Sequence, residues 1–269
     1  MHRFRKMKEM VSTREILISN DDGIDAKGIH LLCRIMMKYG NVTAVAPLHP
    51  QSGKSAALSL GENLYLEKVH EEPGLRMFTF SGTPVDCVKA GINECYGGRR
   101  PDILVSGINH GSNCSVASLY SGTLGACIEG TVYGIPSIGF SINTHESDPD
   151  FSPVTAYADT IMEKFLSCPP VPGVYLNVNF PAVPAEEVKG IRMARRGQGI
   201  WLEEFDKATD AEGRPCYIMA GYFRNLEEEG SIGDHMLVHG KYISVVPHKL
   251  DNTDYGEIER LSAEWNLGI

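Results

Sequence analysis

Residues 15–23, EILISNDDG, hold a short apolar run, Ile16-Leu17-Ile18-Ser19, that stops abruptly at Asn20-Asp21-Asp22-Gly23. Such a run ending in a polar, glycine-closed turn reads as a buried strand. Downstream, Ile29, Leu32, Cys33 and Met36 recur at helical spacing, and Gly40 stands where a helix commonly ends. NVTAVAP (41–47) then gives a second strand. Strand, helix and strand joined by short connections form a right-handed parallel crossover, so both carboxyl ends face one edge of a sheet.

Working outward, the alternation continues. Extended segments are expected at Leu64–Val69 and Met77–Phe80, a helix from Pro84 to about Tyr96, and a buried strand over Asp102–Ser106. After the loop GINHGSN (107–113) come a helix over Thr123–Tyr133, a strand over Ser137–Ile142, a helix over 153–167 and the strand YLNVNFP (175–181). From about Ile191 the pattern changes to longer extended segments with Asp/Gly-rich turns, then KYISVVP and a terminal helix. The expected division is an N-terminal extension (1–13), a core (14–190), and a β-hairpin arm with final strand and helix (191–269) that serves oligomerisation.

Hydrophobic residues make up 42% of the 269 and charged ones 22%, enough for a sizeable core and against wholesale disorder. A formal net charge of -9 opposes non-specific binding to nucleic acid or anionic membranes. No apolar run approaches the roughly 20 residues that span a bilayer. The basic opening MHRFRKMKEMVST lacks a secretory signal's apolar centre and reads as a short frayed extension. Seven scattered cysteines without a C-x-x-C pair argue against a disulfide framework or a zinc site, and the compartment expected is the cytoplasm.

Open parallel sheets bind ligands beyond the carboxyl ends of their strands. The residues just after three strands are therefore singled out: Asn20-Asp21-Asp22-Gly23, Gln51-Ser52-Gly53 and Gly107-Ile108-Asn109. They offer carboxylate, hydroxyl and amide oxygens, the hard donors suited to Mg²⁺, Mn²⁺ or Ca²⁺. Adjacent carboxylates repel, and a divalent cation removes that conflict, although a bare Asp-Asp-Gly is also what a solvated turn looks like. Asn113 adds an amide, while Ser121-Gly122-Thr123 opens a helix whose N-terminus suits an anion as well as an ordinary cap. His110, Lys54, and Arg195-Arg196 with Trp201 are weaker: a lone loop His is usually exposed, a Lys usually solvated, and the acidic total opposes nucleic acid.

The segments ILISNDDGIDAKGI, PLHPQSGKSAA, SGTPVDCV, DILVSGINHGSN, YSGTLGACIEGTVYGIPSIGFS and LNVNFP together resemble the SurE family of survival-protein nucleotidases, in order over residues 14 to 181. The resemblance implies a Rossmann-like three-layer α/β sandwich with a mostly parallel sheet and a swapped C-terminal arm. It also implies a homodimer or homotetramer that hydrolyses nucleoside 5′- and 3′-monophosphates with one divalent cation per subunit. Carried over by position, the metal ligands are Asp21, Asp22, Ser52 and Asn109, with Asn113, Ser121, Gly122 and Thr123 around the phosphate. One carboxylate, with Asp21 the candidate, orients or deprotonates water. The distal segment departs: Gly233-Asp234 stands where relatives often have Thr-Asp, and His248 where an apolar residue is usual.

Three other readings compete. An aspartyl-phosphate enzyme normally carries Asp-x-Asp rather than adjacent carboxylates. A nucleoside hydrolase also uses strand-end carboxylates with a divalent ion. A silent nucleotide-binding module would bind AMP without turnover.

Overall fold

In the computed structural model, which describes residues 13–146 and 148–268, the opening apolar run forms β1 (Arg14–Ser19). The expected extension (1–13) falls almost wholly outside the described residues. α1 (Lys27–Met36) buries Ile29, Leu32, Cys33 and Met36, and returns the chain to β2 (Gly40–Pro47), parallel to β1. Gly40 thus opens a strand instead of ending a helix. A Cβ there would meet the Arg14 carbonyl oxygen at 2.2 Å, so close pairing of the two strand starts demands the glycine.

β3 (Leu66–Glu72) and β4 (Leu75–Phe80) form an antiparallel hairpin, β4 lying parallel to β2. α2 (Pro84–Ala90) is shorter than the pattern suggested, because Gly91–Cys95 widen into a π-helical turn. It begins in a capping box: the Thr83 side chain accepts from the Asp86 N–H while the Asp86 carboxylate accepts from the Thr83 N–H. The same pair ties down the preceding loop, since Thr83 Oγ1 donates to the Ala57 carbonyl and Ser59 N donates to Asp86 Oδ2.

β5 (Ile103–His110) pairs parallel with β1 and carries through Gly107, Ile108 and Asn109, residues expected in a loop. α3 (Gly122–Val132), β6 (Ser137–Ile142), α4 (Ser152–Ser167) and β7 (Val174–Phe180) follow as expected to within a residue or two at their bounds. Beyond them lie β8 (Ile191–Met193), β9 (Gly199–Leu202), β10 (Phe205–Thr209), β11 (Pro215–Met219), β12 (Tyr222–Asn225), α5 (Asp234–His239), β13 (Ile243–Lys249) and α6 (Tyr255–Trp265).

Among the described residues, one sheet of nine strands runs β3-β4-β2-β1-β5-β6-β7-β13-β8. Its centre from β4 to β7 is parallel; β3 and β13 add antiparallel pairings. Residues alternate between two cores. Ile16 and Ile18 face α1 and α4, whereas Leu17 faces α2 and α3, which makes three layers. β8 and β13, from the segment after residue 190, join this sheet, whereas the small antiparallel pairs β9–β12 and β10–β11 stand apart from it.

α5 was not legible as a helix and is only six residues long. No described helix is long and apolar enough to cross a membrane. All seven cysteines are free, four of them buried.

A candidate metal and phosphate site at the switch point

Strand order reverses at β1, with β2 on one side and β5 on the other. The loops leaving β1 and β5 therefore part, and a crevice opens beyond their carboxyl ends. Asp21 and Asp22 lie on the β1 side of it. Asn20 braces their turn, its side chain accepting from Gly23 N (3.2 Å) and donating to the Gly23 carbonyl (2.8 Å), and Gly23 takes φ +101°. This is an Asx turn, but a buried one: Asp21 is 3% exposed.

Burial pushes the Asp21 carboxyl up to about 7, and the neighbouring Asp22 charge adds to it against a hydrogen bond from Thr123. Thr123 Oγ1 donates to Asp21 Oδ1 at 2.5 Å. Asp22 is also raised, chiefly by burial, opposed by the His110 N–H, which donates to its Oδ2 at 3.1 Å. Two desolvated, mutually repelling carboxylates form an arrangement that a divalent cation relieves.

Asn109 arrives through a bulge in β5. Its pairing with β6 advances from Ser106↔Gly139 to Asn109↔Ser141, one extra residue on the β5 side. Gly107 makes this possible at φ +123°, where a Cβ would strike the Phe140 carbonyl oxygen at 2.2 Å. Asn109 Nδ2 donates to the Gly111 carbonyl at 2.6 Å, which leaves its Oδ1 as the ligand-type atom. The third loop is joined by the Gln51 N–H, donating to the Asp21 carbonyl at 2.7 Å, and Ser52 is the next residue, exposed.

Among the described residues no three His, Cys, Asp or Glu side chains gather as a metal-holding group. A cation at Asp21 and Asp22 would thus draw further ligands from amide and hydroxyl oxygens, for which Asn109 and Ser52 are the candidates. The residues fit a hard divalent ion.

The helix N-terminus of α3 abuts the same turn. Ser121 caps it, its Oγ accepting from Leu124 N at 3.1 Å. The Ser121 hydroxyl proton and the Thr123 main-chain N–H remain for an anion, while the Thr123 hydroxyl is committed to Asp21. Gly122 packs so closely that a Cβ would lie 2.7 Å from Asp21 Cβ. Asn113 is buried nearby, its Nδ2 donating to Ser141 Oγ at 2.7 Å.

The surroundings of several neighbours could not be read from the sequence. His110 is half-buried rather than a solvent-exposed loop residue: it ends β5, its ring lies 5.6 Å from that of Phe151, and its Nε2 is buried without a partner. His145 crowds Gly111, where a Cβ would meet its Cε1 at 2.7 Å, and its charge bears on Asp22. Asp234 is fully buried and accepts from Ser115 N and Gly197 N, tying α5 to the loop after Asn113. Asn177 and Asn179 could have been found: two polar residues at period two inside an apolar strand need a reason. Lys54 is exposed, as expected, and Arg195 is paired with Glu227.

The family model for survival protein SurE matches residues 16–203. The chain is 42% identical over 252 residues to the 5′-nucleotidase SurE of Cytophaga hutchinsonii, covering 94% of this chain and 97% of the relative. It is 39% identical over 240 residues to the 5′-nucleotidase SurE of Chlorobaculum tepidum, covering 89% and 90%. The crystal structure of the SurE protein from Aquifex aeolicus superposes with a TM-score of 0.80 at 33% identity, over 93% of this chain and 99% of that one. With family model, relatives and fold in agreement over most of its length, the chain belongs to the SurE family.

Proposed function

We propose that the chain is a 5′-nucleotidase, a metal-dependent phosphomonoesterase that converts nucleoside 5′-monophosphates to nucleoside and inorganic phosphate. Nucleoside 3′-monophosphates and short polyphosphate are further candidate substrates. The observation that carries this reading is the desolvated Asp21–Asp22 pair, set at the sheet's switch point against Asn109 and the N-terminus of α3. The names of the relatives above support the same activity.

Asp21, Asp22, Ser52 and Asn109 would hold one Mg²⁺ or Mn²⁺ per subunit, with Ca²⁺ able to take the same donors. Such an ion, when bound, supplies positive charge to a phosphoryl oxygen and lowers the pKa of a bound water. The chain's own groups do the rest. The Asn113 amide, the Ser121 hydroxyl and the Thr123 main-chain N–H in the first turn of α3 bind the phosphoryl oxygens and favour the charge that spreads over them in transfer. Thr123 fixes the Asp21 rotamer, and Gly122 leaves room for it. Asp21, so held, is the carboxylate that orients the attacking water.

The reading includes a homodimer or homotetramer in the cytoplasm, with no nucleic-acid or membrane partner and residues 191–269 serving assembly. Exposed Phe205, Tyr217, Ile218 and Met219 on β10–β11, and an α6 without a buried residue, support a role in contacts between subunits.

The test is phosphate release from 5′- and 3′-nucleoside monophosphates with Mn²⁺, Mg²⁺ or EDTA, for wild type and Asp22→Asn. We expect metal-dependent release from AMP that falls by at least 100-fold in the variant. Ribose release from unphosphorylated nucleoside, or AMP binding without turnover, would refute the nucleotidase reading.

A further inference from the structure

β7 carries two carboxamides, Asn177 and Asn179, that are both fully buried between apolar neighbours. Being two apart, they face the same side of the sheet. Buried amides are unfavourable unless every polar atom finds a partner, and here the partners close a ring. The Asn113 N–H donates to Asn179 Oδ1 at 2.8 Å, Asn179 Nδ2 donates to Asn177 Oδ1 at 3.0 Å, and Asn177 Nδ2 donates back to the Asn113 carbonyl at 2.9 Å. Within the ring each member gives one bond and takes one, and Asn177 Nδ2 also lies 3.5 Å from His248 Nε2. Both main-chain polar groups of Asn113 are thereby fixed to β7.

The Asn113 side chain is fixed separately. Its Nδ2 donates to Ser141 Oγ on β6, itself fully buried, at 2.7 Å. An amide nitrogen has two hydrogens, so one is spent on Ser141 and the second is held in a set direction.

We infer that Asn177, Asn179 and Ser141 are positioning residues for phosphate: they aim Asn113 at the phosphoryl group without touching it themselves. This rests on the reading above, in which the loop carrying Asn113 faces phosphate. Because the ring closes on the main chain of Asn113, the nature of residues 177 and 179 governs where that residue lies.

The test uses the full chain with Mn²⁺, comparing wild type with Asn177→Leu and Ser141→Ala. Both variants are uncharged, so neither repels an anion, and Ser141→Ala deletes a single oxygen. Inorganic phosphate and Mn²⁺ binding are measured by calorimetry, AMP hydrolysis by kcat and KM, and folding by thermal melting. We expect the phosphate Kd to rise at least tenfold in Asn177→Leu and at least threefold in Ser141→Ala, with kcat/KM for AMP falling in step and Mn²⁺ affinity unchanged within twofold. Phosphate affinity within twofold of wild type in both variants would overturn the inference, whatever the melting temperature. So would equal losses of phosphate and Mn²⁺ affinity, which report a general distortion. Wild type that binds phosphate yet releases none from AMP would sink the nucleotidase reading and leave the positioning role to be judged on Kd; wild type that hydrolyses AMP without measurable phosphate binding would overturn the positioning inference and leave the nucleotidase reading standing.

Discussion

Replacing Gly122 with Ala sets helix propensity against the geometry of Asp21. In an exposed helix the change is favourable by up to about 1 kcal/mol. Here the new Cβ would lie 2.7 Å from Asp21 Cβ and 3.0 Å from Asp21 Oδ2. Carbon atoms rest at about 3.5–4.0 Å, so one group must move by about 1 Å. Asp21 has little room to yield, because its carboxylate is held by Thr123 and its carbonyl by Gln51. Overpacking of this kind costs about 1–3 kcal/mol, which outweighs the propensity gain and leaves a net loss of about 0–2 kcal/mol. The larger effect falls on catalysis, since a displacement of about 1 Å in a reacting group costs on the order of 100-fold. We expect kcat/KM for AMP with Mn²⁺ to drop by about that factor in Gly122→Ala while the protein still melts cooperatively. Gly256→Ala, where the added Cβ meets its nearest atom at 3.4 Å in exposed α6, is the control and should leave activity intact. Gly122→Ala retaining more than half of wild-type kcat/KM would refute the argument that Asp21 must occupy this position.

Thr123→Val keeps shape but removes the hydroxyl that donates to Asp21. It should cost about 1–3 kcal/mol in melting experiments and reduce phosphate release at least tenfold, with Thr123→Ser restoring most of both; equal behaviour of Val and Ser would contradict the role of the hydroxyl. His248, stacked on Tyr175 and held down to about 4 by burial with Arg196 adding to it, gives a pH signature. Between pH 6.5 and 4 the unfolded imidazole takes a proton that the folded one refuses, so stability present above 6.5 is lost as pH falls through that window. The loss attributable to His248 should be on the order of 1–3 kcal/mol. Melting temperature against pH should accordingly be flatter for His248→Gln than for wild type, and identical slopes would exclude the contribution.

The parallel sheet was legible because its strands are apolar runs cut by polar turns, and the crossover rule orders them. The candidate site was chosen by the same logic: Asp21 and Asp22 follow the end of β1, and Asn109 is the last residue but one of the neighbouring β5. What was not legible depends on contacts distant in sequence. Asn109 and His110 look like loop because they are polar, yet a bulge permitted by Gly107 carries β5 through them. Gly40 has the chemistry of a helix stop but is needed for its approach to Arg14. α5 is too short for periodicity, and its first residue, Asp234, is buried to accept main-chain N–H groups of other segments. The pairing of Asn113 with Asn177 and Asn179, more than sixty residues away, has no local signal at all.

These long-range ties also explain why so much polarity is buried along one edge. Asp21, Asn109, Asn113, Thr123, Ser141, Asn177 and Asn179 are all under 9% exposed, whereas the strand interiors behind them are apolar. Every such group opposes folding unless it is paired. The asparagines, the threonine and the serine are paired within the chain. Asp21 and Asp22 accept hydrogen bonds too, from Thr123 and from the His110 N–H, yet burial leaves both carboxyls raised and the Asp22 charge adds to the effect on Asp21. A fold shaped for stability alone would place neutral side chains at this point, which is the physical ground for choosing the pair as the candidate site. The compensation still missing is positive charge: among the described residues no lysine or arginine is paired with Asp21 or Asp22. On the proposed reading a divalent cation would supply it, and the ring around Asn113 ties the adjoining loop to β7.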